Sequence, residues 1–227
     1  MLGLLAGLFL GWSLGANDAA NCFGTAVSSR MVSWRHAAIL AAAFVVTGAI
    51  LQGQGGLETL QALTTADGAA AGRAALAAAL TMSALTLLRL PASASQAVVG
   101  AYVGSGLMAG QVNLAPLAKV VACWVGTPIG AMLFAAVLYH LLRWPLRRRR
   151  PSLFVLDRVL HGGLIVCGCY SAHALGASNV ANVASFLVRT GSMTPPTAVA
   201  LGGLAMAIGV LTFSRGVMLT VGCGITP

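Results

Sequence analysis

Long apolar stretches alternate with short polar breaks along the chain, and their lengths predict membrane-spanning helices. The clear spans fall at residues 36–53, 74–90, 117–142, 159–175 and 197–213. The first apolar stretch, residues 2–14, is shorter than the roughly 20 residues that cross a bilayer, so it must continue into the polar residues that follow. Residues 58–73 are polar enough for a loop or an interfacial helix. The pattern predicts an all-α membrane protein.

A polar, glycine-containing octet occurs twice inside these apolar stretches. LGANDAAN occupies residues 14–21 and LGASNVAN occupies residues 175–182, which places the copies 161 residues apart. Backbone that is left unpaired in lipid is costly, so we expect a helix that is broken at each octet and whose polar face is turned to protein or water. Such a duplication is typical of a two-repeat secondary transporter with its site where the repeats meet.

Composition excludes an ordinary soluble protein. Hydrophobic residues make up 58% of the chain, charged residues make up 7%, and the mean hydropathy is +0.89. We therefore expect a multi-pass integral protein of the plasma (inner) membrane whose surroundings are the lipid bilayer. The net charge of +9 comes largely from loops. One short basic segment, Arg143 to Arg150, predicts a cytoplasmic loop and not a nucleic-acid site.

These features divide the chain into two transmembrane repeats. Residues 1–142 form the first repeat, residues 143–157 the basic cytoplasmic loop, and residues 158–227 a second, shortened repeat. Within the first repeat, residues 91–110 carry a proline, small hydroxyl residues and several glycines, which favours a re-entrant hairpin with a polar tip.

Asp18 is the one carboxylate set inside strongly apolar sequence, and it indicates a cation site. A buried carboxylate in a bilayer needs a cation or a proton, and Na⁺ or H⁺ is the natural partner. The competing interpretation is a helix-capping aspartate. Asn21 would share a helical face with Asp18 and add an oxygen ligand for Na⁺. Asn179 and Asn182 are their counterparts in the second octet. No other cofactor is expected.

An anion in such a site would be bound by helix ends and by hydroxyl and amide donors. The candidate anion ligands are Asn17, Gly24, Thr25, Ser93, Ser95, Gln96 and Ser178. His173, just before the second octet, is either a proton carrier or a packing residue.

The segments GANDAANCFGT at 15–25 and PASASQAVVG at 91–100 resemble signatures of the inorganic phosphate transporter (PiT) family, and residues 209–227 resemble the stretch after that family's second signature. The resemblance implies a short or truncated inverted-repeat symporter that moves phosphate with Na⁺ or H⁺. It also implies cation sites at the signature Asp and Asn residues, with hairpin hydroxyls near the anion.

Three residues depart from the family pattern. Asn179 stands where the second signature has Asp, Ser185 where it has Gly, and Gln96 where the hairpin has His, and a second hairpin is lacking. The coupling ion, its stoichiometry and the choice between phosphate and sulfate therefore stay open, as does a homo-oligomer. The alternatives are a permease for sulfate or another oxyanion and a non-transporting membrane subunit. An enzyme is disfavoured, because no nucleophile and base stand at a recognisable spacing.

Overall fold

The computed structural model describes residues 2–63, 67–110, 112–149, 151–191 and 193–225. The described residues form nine helices: α1 Leu2–Ser28, α2 Trp34–Gln52, α3 Leu57–Gln61, α4 Gly68–Leu87, α5 Ala94–Met108, α6 Leu114–Arg149, α7 Leu153–Arg189, α8 Pro195–Phe213 and α9 Arg215–Ile225. Arg150 and the outer ends of the two predicted repeats, at residues 1 and 227, lie outside these ranges.

Several of the described helices are long and apolar enough to cross a membrane. They are Trp34–Gln52, Gly68–Leu87, Leu114–Trp144, Leu153–Arg189 and Pro195–Phe213. α1 is 27 residues long, which is also sufficient for a crossing. The all-α, multi-pass class predicted from the sequence is confirmed.

The expected breaks at the two octets are absent. α1 runs unbroken through residues 14–21, and α7 runs unbroken through residues 175–182. Asn17 and Asp18 are buried and have hydrogen-bond partners on the hairpin and on α7, so the backbone beside them has no need to unwind. An interior glycine costs a helix only about 1 kcal/mol. The prediction of broken helices was wrong for this reason.

The hairpin is built differently from the prediction for residues 91–110. Residues 94–108 are a single helix, α5, and the hairpin consists of α4, α5 and a connecting turn at residues 88–93. This turn is called the tip below. Ser93 caps α5 by accepting a hydrogen bond from the backbone N–H of Gln96, which fixes where the second arm begins.

The segment 143–157, predicted as a loop, is largely helical. α6 continues to Arg149 and α7 begins at Leu153 after the Ser152 cap. Arginine and leucine are good helix formers, and Arg143 and Arg148 each lie over the aromatic ring four residues before them, at 5.5 and 5.4 Å. Helices of 36 and 37 residues extend to about 55 Å, well beyond a hydrocarbon core of about 30 Å. The basic ends can therefore protrude from the bilayer.

Helices α1 and α2 are related to α7 and α8 by reciprocal contacts. A Cβ on Gly209 of α8 would overlap the backbone oxygen of Trp12 on α1, and a Cβ on Gly48 of α2 would overlap the backbone oxygen of His173 on α7. Gly209 and Gly48 are 161 residues apart, and so are His173 and Trp12, which is the offset between the two octets. Contacts of this kind, in which partners exchange roles, are those of a twofold relation between two similar units.

Candidate functional site

The two signature helices cross in antiparallel orientation. Gly7 near the start of α1 packs against Leu187 near the end of α7, and Phe23 near the end of α1 packs against Gly168 of α7. Between these contacts the two octets meet. Their equivalent positions therefore lie face to face at the centre of the molecule.

Asp18 and Asn179 form the central contact. The Nδ2 of Asn179 donates a hydrogen bond to Oδ2 of Asp18 at 2.8 Å. Asp18 is only 2% exposed, whereas Asn179 is half-buried. The carboxylate thus has one neutral donor, and no cationic side chain pairs with it in the described ranges. A buried carboxylate with this surrounding favours a bound cation or a proton.

A cavity of about 370 Å³ opens beside this pair. Its lining residues come from α1, the tip, the start of α5 and α7: Asp18, Asn21, Pro91, Ala92, Ser93, Ala94, Ser95 and Asn179. Five residues predicted from the sequence therefore share one cavity, which unites two cation candidates from α1, one from α7 and both hairpin serines.

The wall opposite Asp18 is suited to an anion. Ser93, Ala94 and Ser95 are the cap and first turn of α5, so the positive end of a 15-residue helix borders the cavity. The Ser93 oxygen accepts a hydrogen bond from the Gln96 N–H at 3.4 Å, which leaves its own hydroxyl hydrogen available to an anion. The expected helix end is present, but it belongs to the hairpin and not to a broken octet.

Asn17 holds the tip and does not line the cavity. Its Nδ2 donates to Thr86 Oγ1 and to the Leu90 backbone oxygen, both at 3.0 Å, and its Oδ1 accepts from the Ala92 N–H at 3.0 Å. The residue is 2% exposed, so this amide is buried with three partners. Asn17, predicted as an anion ligand, lies outside the cavity lining in this structure, and its hydrogen bonds clamp α1 to the tip.

Other predicted residues also lie away from the cavity lining. They are Gly24, Thr25, Gln96, His173, Ser178 and Asn182. Gly24 packs against the Met218 backbone oxygen of α9, and the Ser178 hydroxyl donates to the Ala174 backbone oxygen of its own helix at 2.8 Å. The Nδ2 of Asn182 is buried without a hydrogen-bond partner.

Two sets of contacts that shape this region were not predicted from the sequence. Thr86 and the Leu90 backbone oxygen bind Asn17, and only the fold brings them to α1. Tyr102 of α5 is fully buried, and its hydroxyl donates a hydrogen bond to Ser185 Oγ at 2.9 Å. Ser185, which stands where the family signature has glycine, therefore has a partner for its hydroxyl. A buried tyrosine needs such an acceptor, so the Tyr–Ser pair was detectable only as two unmatched polar groups.

Opposite charges can be accommodated side by side in this cavity. Asp18 supplies a negative charge on one wall, and the α5 N-terminus with two hydroxyls supplies donors on the other. A polyanion alone would be repelled by the carboxylate, but a cation at Asp18 and Asn21 would remove that repulsion and attract the anion. Such an arrangement is suited to binding a cation and an anion together.

Residues 14–227 match a family model described as the phosphate transporter family. The sulfate permease CysP of Bacillus subtilis (strain 168) is 30% identical over 228 residues, which is 98% of this chain but 64% of the permease. A putative phosphate permease of Pyrococcus abyssi is 28% identical over 315 residues, covering 100% of this chain and 78% of that protein. The inorganic phosphate transporter 2-1 of Arabidopsis thaliana chloroplasts is 35% identical over 153 residues, covering 62% and 26%.

A solved structure of a sodium-dependent phosphate transporter has the same fold. The TM-score is 0.81 at 22% identity, and the match covers 97% of this chain and 77% of that one. The family match spans both signature helices, the hairpin and α9. The chain belongs to the phosphate transporter family.

Proposed function

We propose that this protein is a secondary active transporter that moves inorganic phosphate across the membrane together with Na⁺ or H⁺. The observation that carries the proposal is the single cavity in which Asp18 faces the N-terminus of α5. Family membership makes it a transporter and not an enzyme. The chain spans 64% of the length of the sulfate permease that it resembles, so the activity of the whole protein is part of the proposal.

Coupling follows from the charges in the cavity. The cation binds at Asp18, with Asn21 as a further oxygen ligand, and the anion binds at Ser93, Ser95 and the first turn of α5. Each ion lowers the electrostatic cost of binding the other, because the carboxylate and the anion repel one another until a cation lies between them. The inverted relation of the two octets, supported by the reciprocal helix contacts, provides the symmetry on which alternating access depends.

The pair formed by Asp18 and Asn179 contains one carboxylate, and this limits the number of cations that the pair can bind. Asn179 occupies the position equivalent to Asp18 in the second octet. Its side-chain N–H donates a hydrogen bond to the Asp18 carboxylate. A neutral amide cannot balance the charge of a second cation. We propose that fewer cations accompany each anion here than in a site with two aspartates.

Sulfate is the second candidate for the anion. The relative that shares 30% identity over 98% of this chain is named a sulfate permease. Helix-end N–H groups and hydroxyls bind any tetrahedral oxyanion, and the carboxylate that could accept a hydrogen bond from protonated phosphate, Asp18, is assigned to the cation. Phosphate is preferred because other relatives and the family description name it.

The test is counterflow of labelled phosphate and labelled sulfate in proteoliposomes, with Na⁺ and pH varied independently. We expect exchange of phosphate that depends on the cation. The double variant Ser93→Ala/Ser95→Ala should lose this exchange. Losing hydrogen bonds to a charged group should weaken the apparent affinity at least tenfold. Thr81→Ala is the control, because Thr81 bonds only its own helix at Ala77. Exchange of sulfate alone would select the second candidate, and no exchange of either ion would indicate a non-transporting subunit.

A further inference from the structure

A second cavity, of about 500 Å³, lies between the tip and α9 and is strongly basic. Its lining residues are Arg89, Arg215, Gly216, Leu219, Thr220 and Cys223. Neither arginine has a hydrogen-bond or ion-pair partner in the part of the chain that the structure describes. Two guanidinium groups that border one cavity without a counter-charge favour an anion between them.

Arg89 occupies a backbone position that normally selects glycine. α4 ends with the Leu90 N–H bonded to the Leu85 backbone oxygen at 2.9 Å, and Arg89 within this turn has φ 58°. A residue other than glycine is strained in this left-handed conformation. An arginine therefore stands in this turn although glycine would be less strained there. This indicates a functional role for the guanidinium group.

The Arg89 side chain is directed by α9. A Cβ on Gly216 would lie 3.2 Å from Cγ and 3.5 Å from Nε of Arg89, so the stem of this arginine rests on the glycine backbone. Arg215 is the first residue of α9, and the Thr220 hydroxyl lines the same cavity. The two charges are thus brought to one cavity by the tip and by α9.

This basic cavity shares the tip with the central cavity. Arg89 precedes Pro91, a lining residue of the central cavity, by two positions. α9 packs along the end of α1, where Gly222 meets Gly24 and Ser28, so the basic cavity lies toward the C-terminal end of α1. The two cavities are therefore bordered by neighbouring residues of one turn.

We propose that Arg89 and Arg215 form a second oxyanion site, which concentrates phosphate or sulfate at the C-terminal end of α1 next to the transport cavity. Its chemistry is that of two guanidinium groups with a phosphate-like tetrahedral anion. A free anion and a phospholipid headgroup share this chemistry. Binding at the site is independent of the proposed transport, whereas the role of feeding the central cavity rests on it.

Equilibrium binding of ³²P-labelled phosphate to the full chain in nanodiscs tests the site. The discs contain phosphatidylcholine alone. The chain carries Asp18→Asn, Ser93→Ala and Ser95→Ala, which remove the proposed ion ligands of the central cavity; this variant is called the silenced protein. Phosphate should still bind to this protein and bind less as ionic strength rises. Adding Arg89→Gly and Arg215→Gln should weaken the remaining binding at least tenfold. Glycine suits the left-handed turn, so the loss is not a folding defect.

Arg73→Gln is the matched control, since Arg73 is an exposed arginine of α4 that does not line this cavity. Arg89→Lys should restore part of the binding that Arg89→Gly removes. Discs with phosphatidylglycerol separate the two sources: unchanged phosphate binding supports a free anion, and competition that requires both arginines supports a headgroup in the same site. Absence of binding in the silenced protein, or equal binding with and without the two arginines, would overturn the proposal even if the intact chain transports phosphate.

Discussion

At the scale of single residues, the site depends on one carboxylate and the amide opposite it. Asp18 is buried at the point where the two octets cross, and its hydrogen-bonding partner is its own sequence equivalent, Asn179. A single substitution at this point changes the charge that the cavity presents to a cation. In the proposed mechanism, this pair of side chains therefore decides the coupling.

Asn179→Asp should make transport more dependent on cations. The substitution places a second carboxylate within hydrogen-bonding distance of Asp18 Oδ2, where repulsion is relieved only by a bound cation or a shared proton. We expect initial uptake rates to rise more steeply with Na⁺ at neutral pH, or to shift toward lower pH if a proton takes that place.

Ser178→Asp is the control for this prediction. It adds the same charge one residue away, at an exposed position outside the cavity lining. Uptake measured against Na⁺ at two pH values compares the variants. An Asn179→Asp protein whose Na⁺ and pH profiles match those of the parent would exclude the second octet from coupling.

The sequence alone was sufficient to identify residues whose own charge or polar group borders the cavity. It was not sufficient to identify a residue that positions the tip of the hairpin. Asp18, Asn21 and Ser93 were identified from an isolated carboxylate, helical spacing and a broken polar segment, and they line one cavity. The role of Asn17 was not predictable, because its partners are backbone groups of a tip whose position only the packed hairpin defines.

At the scale of elements, the hairpin and the signature helix act as one unit through the Asn17 clamp. Asn17→Ala should free the tip, since it removes three hydrogen bonds and leaves the Ala92 N–H and the Leu90 backbone oxygen without the side chain that holds them. We expect the apparent anion affinity to fall about tenfold, although Asn17 does not line the cavity, and the Ala92 amide to exchange hydrogen faster.

Ser13→Ala is the control for the clamp. Ser13 also joins α1 to α4, with its Oγ 2.7 Å from Ser83 Oγ, but it lies one turn away from the tip. This variant should keep its anion affinity. Equal effects of the two substitutions would mean that the clamp only stabilises the fold and does not position the anion site.

The octet glycines permit the close crossings of the central helices. A Cβ on Gly15 would overlap the Met206 backbone oxygen of α8, and a Cβ on Gly176 would overlap the Val45 backbone oxygen of α2. Either change to alanine should destabilise the protein by about 1–3 kcal/mol, as overpacking does. Gly104→Ala is the control, because nothing lies within 4 Å of that added atom.

The midpoint of thermal unfolding of the protein in detergent measures this effect. A lower midpoint for both octet variants and none for the control supports the crossings as described. Midpoints unchanged by Gly15→Ala and Gly176→Ala would show that the helices do not approach this closely.

Element lengths were largely predictable, but element continuity was not. Apolar length identified α2, α8 and the apolar part of α6, since only a full span buries enough hydrophobic surface in lipid. The unbroken octets depend on partners supplied by packing, which no local pattern reveals. The helical arginine segment was missed although its causes, helix propensity and aromatic rings four residues earlier, are local.

At the scale of the whole molecule, most basic residues lie toward one end. The C-terminal end of α1, the end of α6 and the start of α7 carry or adjoin Arg30, Arg143 and Arg158. The antiparallel crossing of α1 with α7 and the short connection from α6 to α7 place these ends on the same side. Short basic segments beside spans remain cytoplasmic. We expect this end to face the cytoplasm.

Labelling of introduced cysteines tests that orientation. In a background without native cysteines, Ser152→Cys should react in intact cells only with a membrane-permeant reagent. Gln54→Cys, beyond the opposite end of α2, should react with an impermeant one. The reverse pattern would invert the topology and place the basic cavity on the outer side.

The most direct test of the account is the mutual dependence of cation and anion binding. Labelled phosphate binding to the intact chain in nanodiscs is measured with and without Na⁺ and across pH, in the parent and in Asp18→Asn. Affinity in the parent should increase severalfold with Na⁺ or with protons, and phosphate should raise the affinity for the cation by the same factor. Asp18→Asn should fold and lose this dependence. A parent whose phosphate affinity ignores both ions, or an Asp18→Asn protein that keeps the full dependence, would contradict the claim that this cavity couples a cation to an oxyanion.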